Sequence, residues 1–433
     1  VTIEDPEACE GEVAMRGRSW VGWLAAWVLL CAGPGFAADS ETKMTPGLTD
    51  SLGGPRGLLF EMGISTQLRY VTELAYNARG GKGHALRQAG QLDAQLGLDM
   101  EKLAGLHGGT FQFTFTYRNG NNLGADMDLG TLQLVQEVYG RGNVGRLTQL
   151  WYEQLFWGDR VHLKLGRVTI GEDTADFPCD FQNLSFCGAQ PGNIVGNYWF
   201  NWPVSQWGTR LRVDVAKVAY VQLSAYEINP RNLDEAFYLG RFHGATGVML
   251  PLELAWTPKF SAGRLEGTYK LGAWYDTSNA PDVLLDDVER DGRYGVYFVA
   301  RQQLTHVAGA ENKAQGLNVF LRLTNTDQNT SAQDSQYTLG LGYTGIFGRA
   351  DDDVGFALGR THSNGRYVEA QRLKQQQDPT VLVPRPEYLG ELYYSLHATP
   401  WLVLRPNFQF IRPGADETSR NVIVLGLKGA LSL

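Results

Sequence analysis

The sequence predicts an all-β fold: a transmembrane, antiparallel, up-and-down β-barrel of 16 strands. Three observations carry this. Sixteen separate segments read as strands, most with apolar residues at a period of two, and the connections between those segments alternate short and long. No apolar run of about 18 residues or more follows the N-terminal region, so a helical span is excluded. A chain that enters lipid without helices must close its sheet, because every backbone amide needs a partner there.

Composition agrees. Of 433 residues, 19% are charged and 11% aromatic, with 52 glycines, which suits strands with one greasy face better than a soluble enzyme. The net charge of −8 argues against nucleic acid as a partner.

Residues 1–38 are expected to be removed before folding. Met15-Arg-Gly-Arg-Ser is a positive n-region, Trp20 to Leu30 an apolar h-region, and Gly35-Phe-Ala37 a small-residue cleavage site. Residues 1–14 are acidic and precede this signal, so they read as an over-extended start with Met15 the first residue. Leu30 before Cys31 is too bulky for a lipidation site. Residues 39–58, with Pro46 and Gly53-Gly54-Pro55, read as an irregular periplasmic lead-in, and 59–433 as the barrel.

From Gly63 the period becomes two: Ile64, Leu68, Tyr70, Leu74 and Tyr76 share one face, Ser65, Gln67, Arg69 and Glu73 the other. The alternation returns over Leu92–Leu98 and is cleanest over Phe111–Arg118. Further strands are predicted over Leu147–Phe156, Val161–Val168, Gly208–Asp214, Ala219–Glu227, Pro251–Pro258, Thr268–Asp276 and Tyr294–His306. The series continues with Leu317–Thr326, Tyr337–Phe347, Val354–Arg360, Tyr388–Thr399, Trp401–Arg412 and Val422–Leu433. The period is poor in Leu147–Phe156 and Tyr294–His306. Short links such as 157–160 and 399–400 follow every second strand. Long ones (119–146, 169–207, 228–250, 277–293 and 361–387) intervene and are expected at the external end. The acidic link Asp351-Asp-Asp353 reads as a solvated charge run.

Sixteen strands enclose a lumen too wide for side chains to fill, so the apolar face must meet lipid and the polar face line water. Tyr76, Tyr117, Tyr275, Tyr343 and Trp401 suit interfacial girdles. The inward set read from the period includes Arg69, Glu73, Asp93, Arg118, Lys164, Arg210, Arg212, Lys270, Arg322, Arg405, Asn407 and Gln409. These charges either act on a permeant or pair with one another along a wetted wall.

One loop is too aromatic for a solvent-exposed surface. Phe177 to Trp207 carries Tyr198, Trp199, Trp202 and Trp207, four asparagines, Cys179 and Cys187. The two cysteines, in an exported chain, are expected to form a disulfide, with two buried free thiols as the alternative. The loop is expected to fold into the lumen, although packing on the rim of a soluble β-protein is the competing arrangement. Sugar rings present an apolar C–H face and a polar edge. Tyr198, Trp199, Trp202 and Trp207 would supply a wall for the first; Asp180, Gln182, Asn183 and Asn201 would meet the second. Trp207 could equally be a girdle residue.

The stretch Cys179-Asp-Phe-Gln-Asn-Leu-Ser-Phe-Cys-Gly188, followed by Gly196-Asn-Tyr-Trp-Phe-Asn-Trp-Pro-Val-Ser-Gln-Trp207, resembles the carbohydrate-selective porin family, the OprB type of Gram-negative outer membranes. Leu98-Asp-Met-Glu-Lys-Leu-Ala-Gly105, Trp151-Tyr-Glu-Gln154 with Leu163-Lys-Leu-Gly-Arg167, and Pro400 to Ile411 are similar to other parts of the same family. The likeness spans about 60 to 433. It implies a channel favouring monosaccharides such as glucose, with outer-membrane lipid, lipopolysaccharide and the barrel-assembly machinery as partners. The subunit is expected to be a monomer or a homotrimer, without cofactor or metal. Candidate substrate contacts are Arg69, Glu73, Arg118, Lys164, Asp180, Asn183, Trp199, Asn201, Trp202, Arg210, Arg212, Arg322 and Arg405.

Other functions compete. A general or anion-preferring porin would use the same arginines. An enzyme is disfavoured: there is no GxSxG or HExxH, and His162, His243, His306, His362 and His397 are scattered. An adhesive barrel would not require a basic inner wall.

Overall fold

The computed structural model describes residues 47–433 apart from 52–54, 235–238, 240–242, 311 and 417–418. The expected export signal, Cys9, Cys31 and the turn at Gly53 lie outside these residues. The sheet is a closed barrel of sixteen antiparallel strands, each paired with its neighbours in sequence, and the first pairs with the last. Along the chain these are β1 (Ile64–Arg79), β2 (Leu86–Asp99), β3 (Gly109–Gly120), β4 (Val144–Phe156), β5 (Val161–Val168), β6 (Gln206–Ala216), β7 (Ala219–Ile228) and β8 (Gly247–Trp256). The second half is β9 (Leu265–Pro281), β10 (Glu289–Gln303), β11 (Gly316–Thr326), β12 (Gln333–Thr344), β13 (Asp353–Ser363), β14 (Glu387–Thr399), β15 (Leu402–Arg412) and β16 (Val422–Ser432). Among the described residues no helix is long and apolar enough to cross a membrane.

The two faces of the wall follow the period. In β8, Leu250, Leu252, Leu254 and Trp256 are exposed on the outside, while Met249, Glu253 and Ala255 are buried toward the axis. In β3 the exposed Phe115 and Tyr117 alternate with the buried Thr114, Thr116 and Arg118. A soluble protein would not leave such a belt of leucine and aromatic side chains in water.

Two stretches with a poor period have different causes. In β4 the register against β3 slips, Thr114 facing Gln149 while Phe115 faces Leu147, so Thr148 is an extra residue that reverses the alternation. In β10 the alternation holds from Arg293 to Gln303, past a slip in register at Gly292, but the inward residues include Tyr297 and Val299, which pack against a loop inside the barrel and are apolar for that reason.

Three expectations are corrected. The long external link predicted over 277–293 shrinks to 282–288, because β9 and β10 continue past the apolar belt. There the buried Asp276 accepts from Arg293 Nε (2.9 Å), and such polar pairs carry no hydrophobic period. The Asp351–Asp353 run is not simply solvated. Asp352 is buried and accepts from Arg349 Nε (2.5 Å), Tyr394 Oη (2.5 Å) and the His397 backbone N–H (2.9 Å), tying the β12–β13 turn to β14. The lead-in is partly helical: Arg56–Glu61 forms a short helix, and Arg56 donates to the Thr66 carbonyl through Nε (3.2 Å) and Nη2 (3.0 Å).

Candidate functional site

Among the described residues, two long connections turn deep into the barrel. A loop buried this way must find partners for its own N–H and C=O groups. The inward polar side chains of the wall supply them.

The connection 169–205 lies against the inner faces of β7 to β14. Its apolar half packs Ile170, Ala175, Val195, Tyr198 and Trp199 on Tyr226, Met249, Trp274, Tyr297 and Val299. Its other half sets Phe181 and Phe186 against Ala357, Leu389 and Tyr393. Cys179 and Cys187 are joined by a disulfide. Glu391 accepts from the backbone N–H groups of Gln182 (2.8 Å) and Asn183 (2.9 Å). Arg322 donates to the carbonyls of Gly188 (2.8 Å) and Ser185 and to Thr338 Oγ1 (3.0 Å). Glu253 accepts from the Ala175 N–H (2.9 Å) and from Tyr297 Oη (2.7 Å).

The connection 121–143 enters as well, which nothing in its sequence announced. Leu123, Leu129 and Val135 are buried against Ala75, Ile411, Val422 and Val424. Glu387 accepts from the backbone N–H of Leu132 (2.6 Å) and Gln133 (3.2 Å), just as Glu391 does for the other loop.

Between the loops and β1–β3 remains a lumenal cavity of about 710 Å³. Arg69, Gln91, Asp93, Arg118 and Lys428 line its wall side; Glu137, Arg141, Glu172, Asp176, Phe177, Asn201 and Trp202 come from the loops, and Arg301 from β10. A hydrogen-bonded chain runs along the wall: Arg118 Nε donates to Gln91 Oε1 (2.6 Å), and Gln91 Nε2 to Asp93 Oδ2 (2.7 Å). Lys428 Nζ sits 2.9 Å from Glu137 and 3.2 Å from Glu73. Burial pushes the Glu137 carboxyl up, but Lys428 and Arg118 outweigh it and hold the group below its ordinary range.

The candidate residues therefore divide. Arg69, Arg118, Asn201 and Trp202 face this cavity, and Asp180 faces an adjoining one. Trp199 does not face the channel. It is fully buried, edge-on to Trp274 at 5.1 Å, and braces the loop on the wall. Arg322, Asn183 and Glu73 are likewise buried as anchors rather than exposed to a permeant, since the loops' backbone groups had to be satisfied. Lys164 (2.6 Å) and Arg210 (2.8 Å) converge on Asp173; Arg212 pairs with Asp214 (2.8 Å) and Arg405 with Asp180 (3.2 Å). Trp207 lies in β6 opposite Arg167, whose guanidinium is 5.9 Å from its ring, and does not line the cavity.

Residues missed at first were legible to different degrees. Lys428 lies opposite Leu427 and Leu431 in the last strand, so its inward direction could have been read from the period. Glu137, Arg141, Glu172 and Phe177 lie in the loops, outside the strands, and carry no such signal.

The family model described as carbohydrate-selective porin, OprB family, matches residues 83–433. The chain belongs to this family. Porin B of Pseudomonas aeruginosa is 40% identical to it over 442 residues, covering 94% of this chain and 96% of that protein. A putative porin QuiX of Acinetobacter baylyi is 33% identical, covering 92% and 95%. A solved high-pH structure of Pseudomonas putida OprB superposes with a TM-score of 0.84 at 37% identity, covering 88% of this chain and 97% of that one. The porin is thus a carbohydrate channel of the Gram-negative outer membrane, and its family and fold are those of channel proteins. Its short turns mark the periplasmic end and its long connections the external one.

Proposed function

We propose that the porin passes neutral monosaccharides such as glucose by facilitated diffusion, and that selection occurs in the cavity between Trp202 and the Arg69–Gln91–Arg118 wall. The observation that carries this reading is the pairing of surfaces there: the rings of Phe177 and Trp202 on the loops, with Arg69, Gln91, Asp93, Arg118 and Asn201 around them. An aromatic face suits the C–H side of a pyranose, and donors and acceptors in pairs suit its hydroxyls. In this reading Arg69, Arg118, Asn201 and Trp202 touch sugar, with Asp180 next along the path. Glu73, Lys164, Asn183, Trp199, Arg210, Arg212, Arg322 and Arg405 hold the wall and loop in shape. The exposed leucine belt is the surface for outer-membrane lipid and lipopolysaccharide, and β16 the element for the assembly machinery. A homotrimer would pack through the same belt.

Single-channel current recorded in rising glucose tests this. Block by glucose is expected, weakened roughly tenfold in Trp202→Ala, the loss of one aromatic contact. A current that ignores glucose would refute sugar selection.

A second reading rests on Arg69, which makes no ion pair among the described residues although it faces the cavity. It would favour small anions. A strongly anion-selective reversal potential in a salt gradient, with no glucose block, is the result that supports it.

A further inference from the structure

We infer that the lumen holds a second carbohydrate station, on the periplasmic side of Phe177. This rests on the reading of the porin as sugar-selective.

On the periplasmic side of Phe177 lies another cavity, of about 360 Å³. It shares Phe177, Pro178 and Arg301 with the larger one, so Phe177 stands where the two meet. Its floor reaches Thr344 and Lys313, at the periplasmic turns that follow β12 and β10. The volume falls within the range of about 300–1,000 Å³ usual for small-molecule sites.

The wall here is built around aromatic rings. Gly340, Gly342 and Gly355 occupy inward positions of β12 and β13, opposite in parity to the exposed Leu339, Leu341 and Phe356. A side chain at Gly340 would collide with the Phe320 ring (2.5 Å from the added carbon), and one at Gly355 with the Tyr393 ring (2.5 Å). The missing side chains let both rings lie along the wall. Phe177 meets Phe320 edge-on at 5.0 Å, so the shelf continues up to the junction of the two cavities. Polar groups surround it: Asp180, Asn318 and Asp353 line the same cavity. Rings flanked by carboxylates, an amide and the shared Arg301 repeat the chemistry of the first cavity.

Two weak sites in series also suit conduction, since a permeant must bind well enough to enter and loosely enough to leave. A sugar leaving the upper cavity past Phe177 lands on the lower shelf instead of in bulk water.

Gly342 supplies the test. A carbon added there meets nothing closer than the Val354 carbonyl at 3.5 Å, so a side chain projects into the cavity without disturbing the wall. Oriented single channels are recorded with glucose added on the periplasmic side, for the natural chain, Gly342→Leu and Phe320→Ala. Heat-modifiable mobility on gels reports whether each variant is a folded barrel. The station predicts two populations of blocked dwell times in the natural chain. Gly342→Leu should remove one, and Phe320→Ala should shorten it roughly five- to tenfold; Trp202→Ala should act on the other. A single population sensitive to Trp202→Ala alone, and indifferent to Gly342→Leu, would overturn the second station and leave sugar selection standing. No block in any channel would overturn both.

Discussion

Glu391 on β14 holds Asn183 in place: its carboxylate accepts the Asn183 backbone N–H at 2.9 Å and the neighbouring Gln182 N–H at 2.8 Å. The wall thereby fixes the disulfide-bearing segment at mid-barrel. Glu387, four residues earlier, does the same for the other inward loop at Leu132 and Gln133. Two turns of loop backbone hang from one strand.

Removing the first anchor should free one loop without unfolding the barrel. Glu391→Ala leaves two buried N–H groups without partners, at a cost of about 1–3 kcal/mol each. Open-channel current in Glu391→Ala should become larger and noisier, with glucose block weakened about tenfold or more. A quiet channel of unchanged conductance would show that Glu391 does not fix the loop.

Arg322 and Arg69 should part company. Arg322 is buried and spends its guanidinium on Gly188, Ser185 and Thr338, whereas Arg69 faces the cavity. Arg322→Lys cannot reproduce a planar fork and should lower thermal stability while leaving the chloride-to-potassium permeability ratio unchanged. Arg69→Gln should do the reverse. Melting followed by circular dichroism, paired with reversal potentials, distinguishes the two roles.

The Cys179–Cys187 bond closes a short loop inside the lumen. Chain entropy puts its contribution at about 2–3 kcal/mol. Because that free energy acts on the loop alone, a Cys179→Ser/Cys187→Ser variant should keep its barrel and lose its steady current. If the double variant fails to insert at all, the bond is needed for assembly and not merely for loop order.

Asp352 predicts a pH dependence. Burial opposes ionisation of its carboxyl, but Arg349, Tyr394 and the His397 N–H prevail and hold it below the usual carboxylate range. A depressed carboxyl stabilises the fold above its unfolded pKa of about 4, and that stabilisation fades as pH falls through the folded value. Asp352→Asn should therefore melt earlier than the natural chain at pH 7, and the two curves should converge in acid below about pH 4. A gap of constant size from pH 7 to pH 2 would contradict the assignment.

Much of the fold was legible in the strands. The alternation in Phe111–Arg118 places Phe115 and Tyr117 outward and Thr114, Thr116 and Arg118 inward, as observed. Where the pattern failed, a local cause was invisible from one strand alone: the slip at Thr148 belongs to the pairing of β3 with β4, and the apolar inward faces of Tyr297 and Val299 answer a loop about a hundred residues away in chain order.

The site was legible only in part. Trp199 and Trp202 are three positions apart in one aromatic loop, and nothing local says that the first is buried on Trp274 while the second borders the channel. Arg69 and Arg322 look alike as inward arginines, yet one meets open lumen and the other the carbonyls of a folded-in segment.

What the sequence determined by itself was the cylinder: how many strands, which face meets lipid, and which loop is too aromatic for water. A period of two is a property of the backbone and survives whatever the strand packs against. Tertiary structure alone decided which inward side chains touch the permeant and which serve the loops, because that depends on where segments distant in sequence come to rest. The entry of 121–143 into the lumen, held by Glu387 and lined up against β1, β15 and β16, was settled only there.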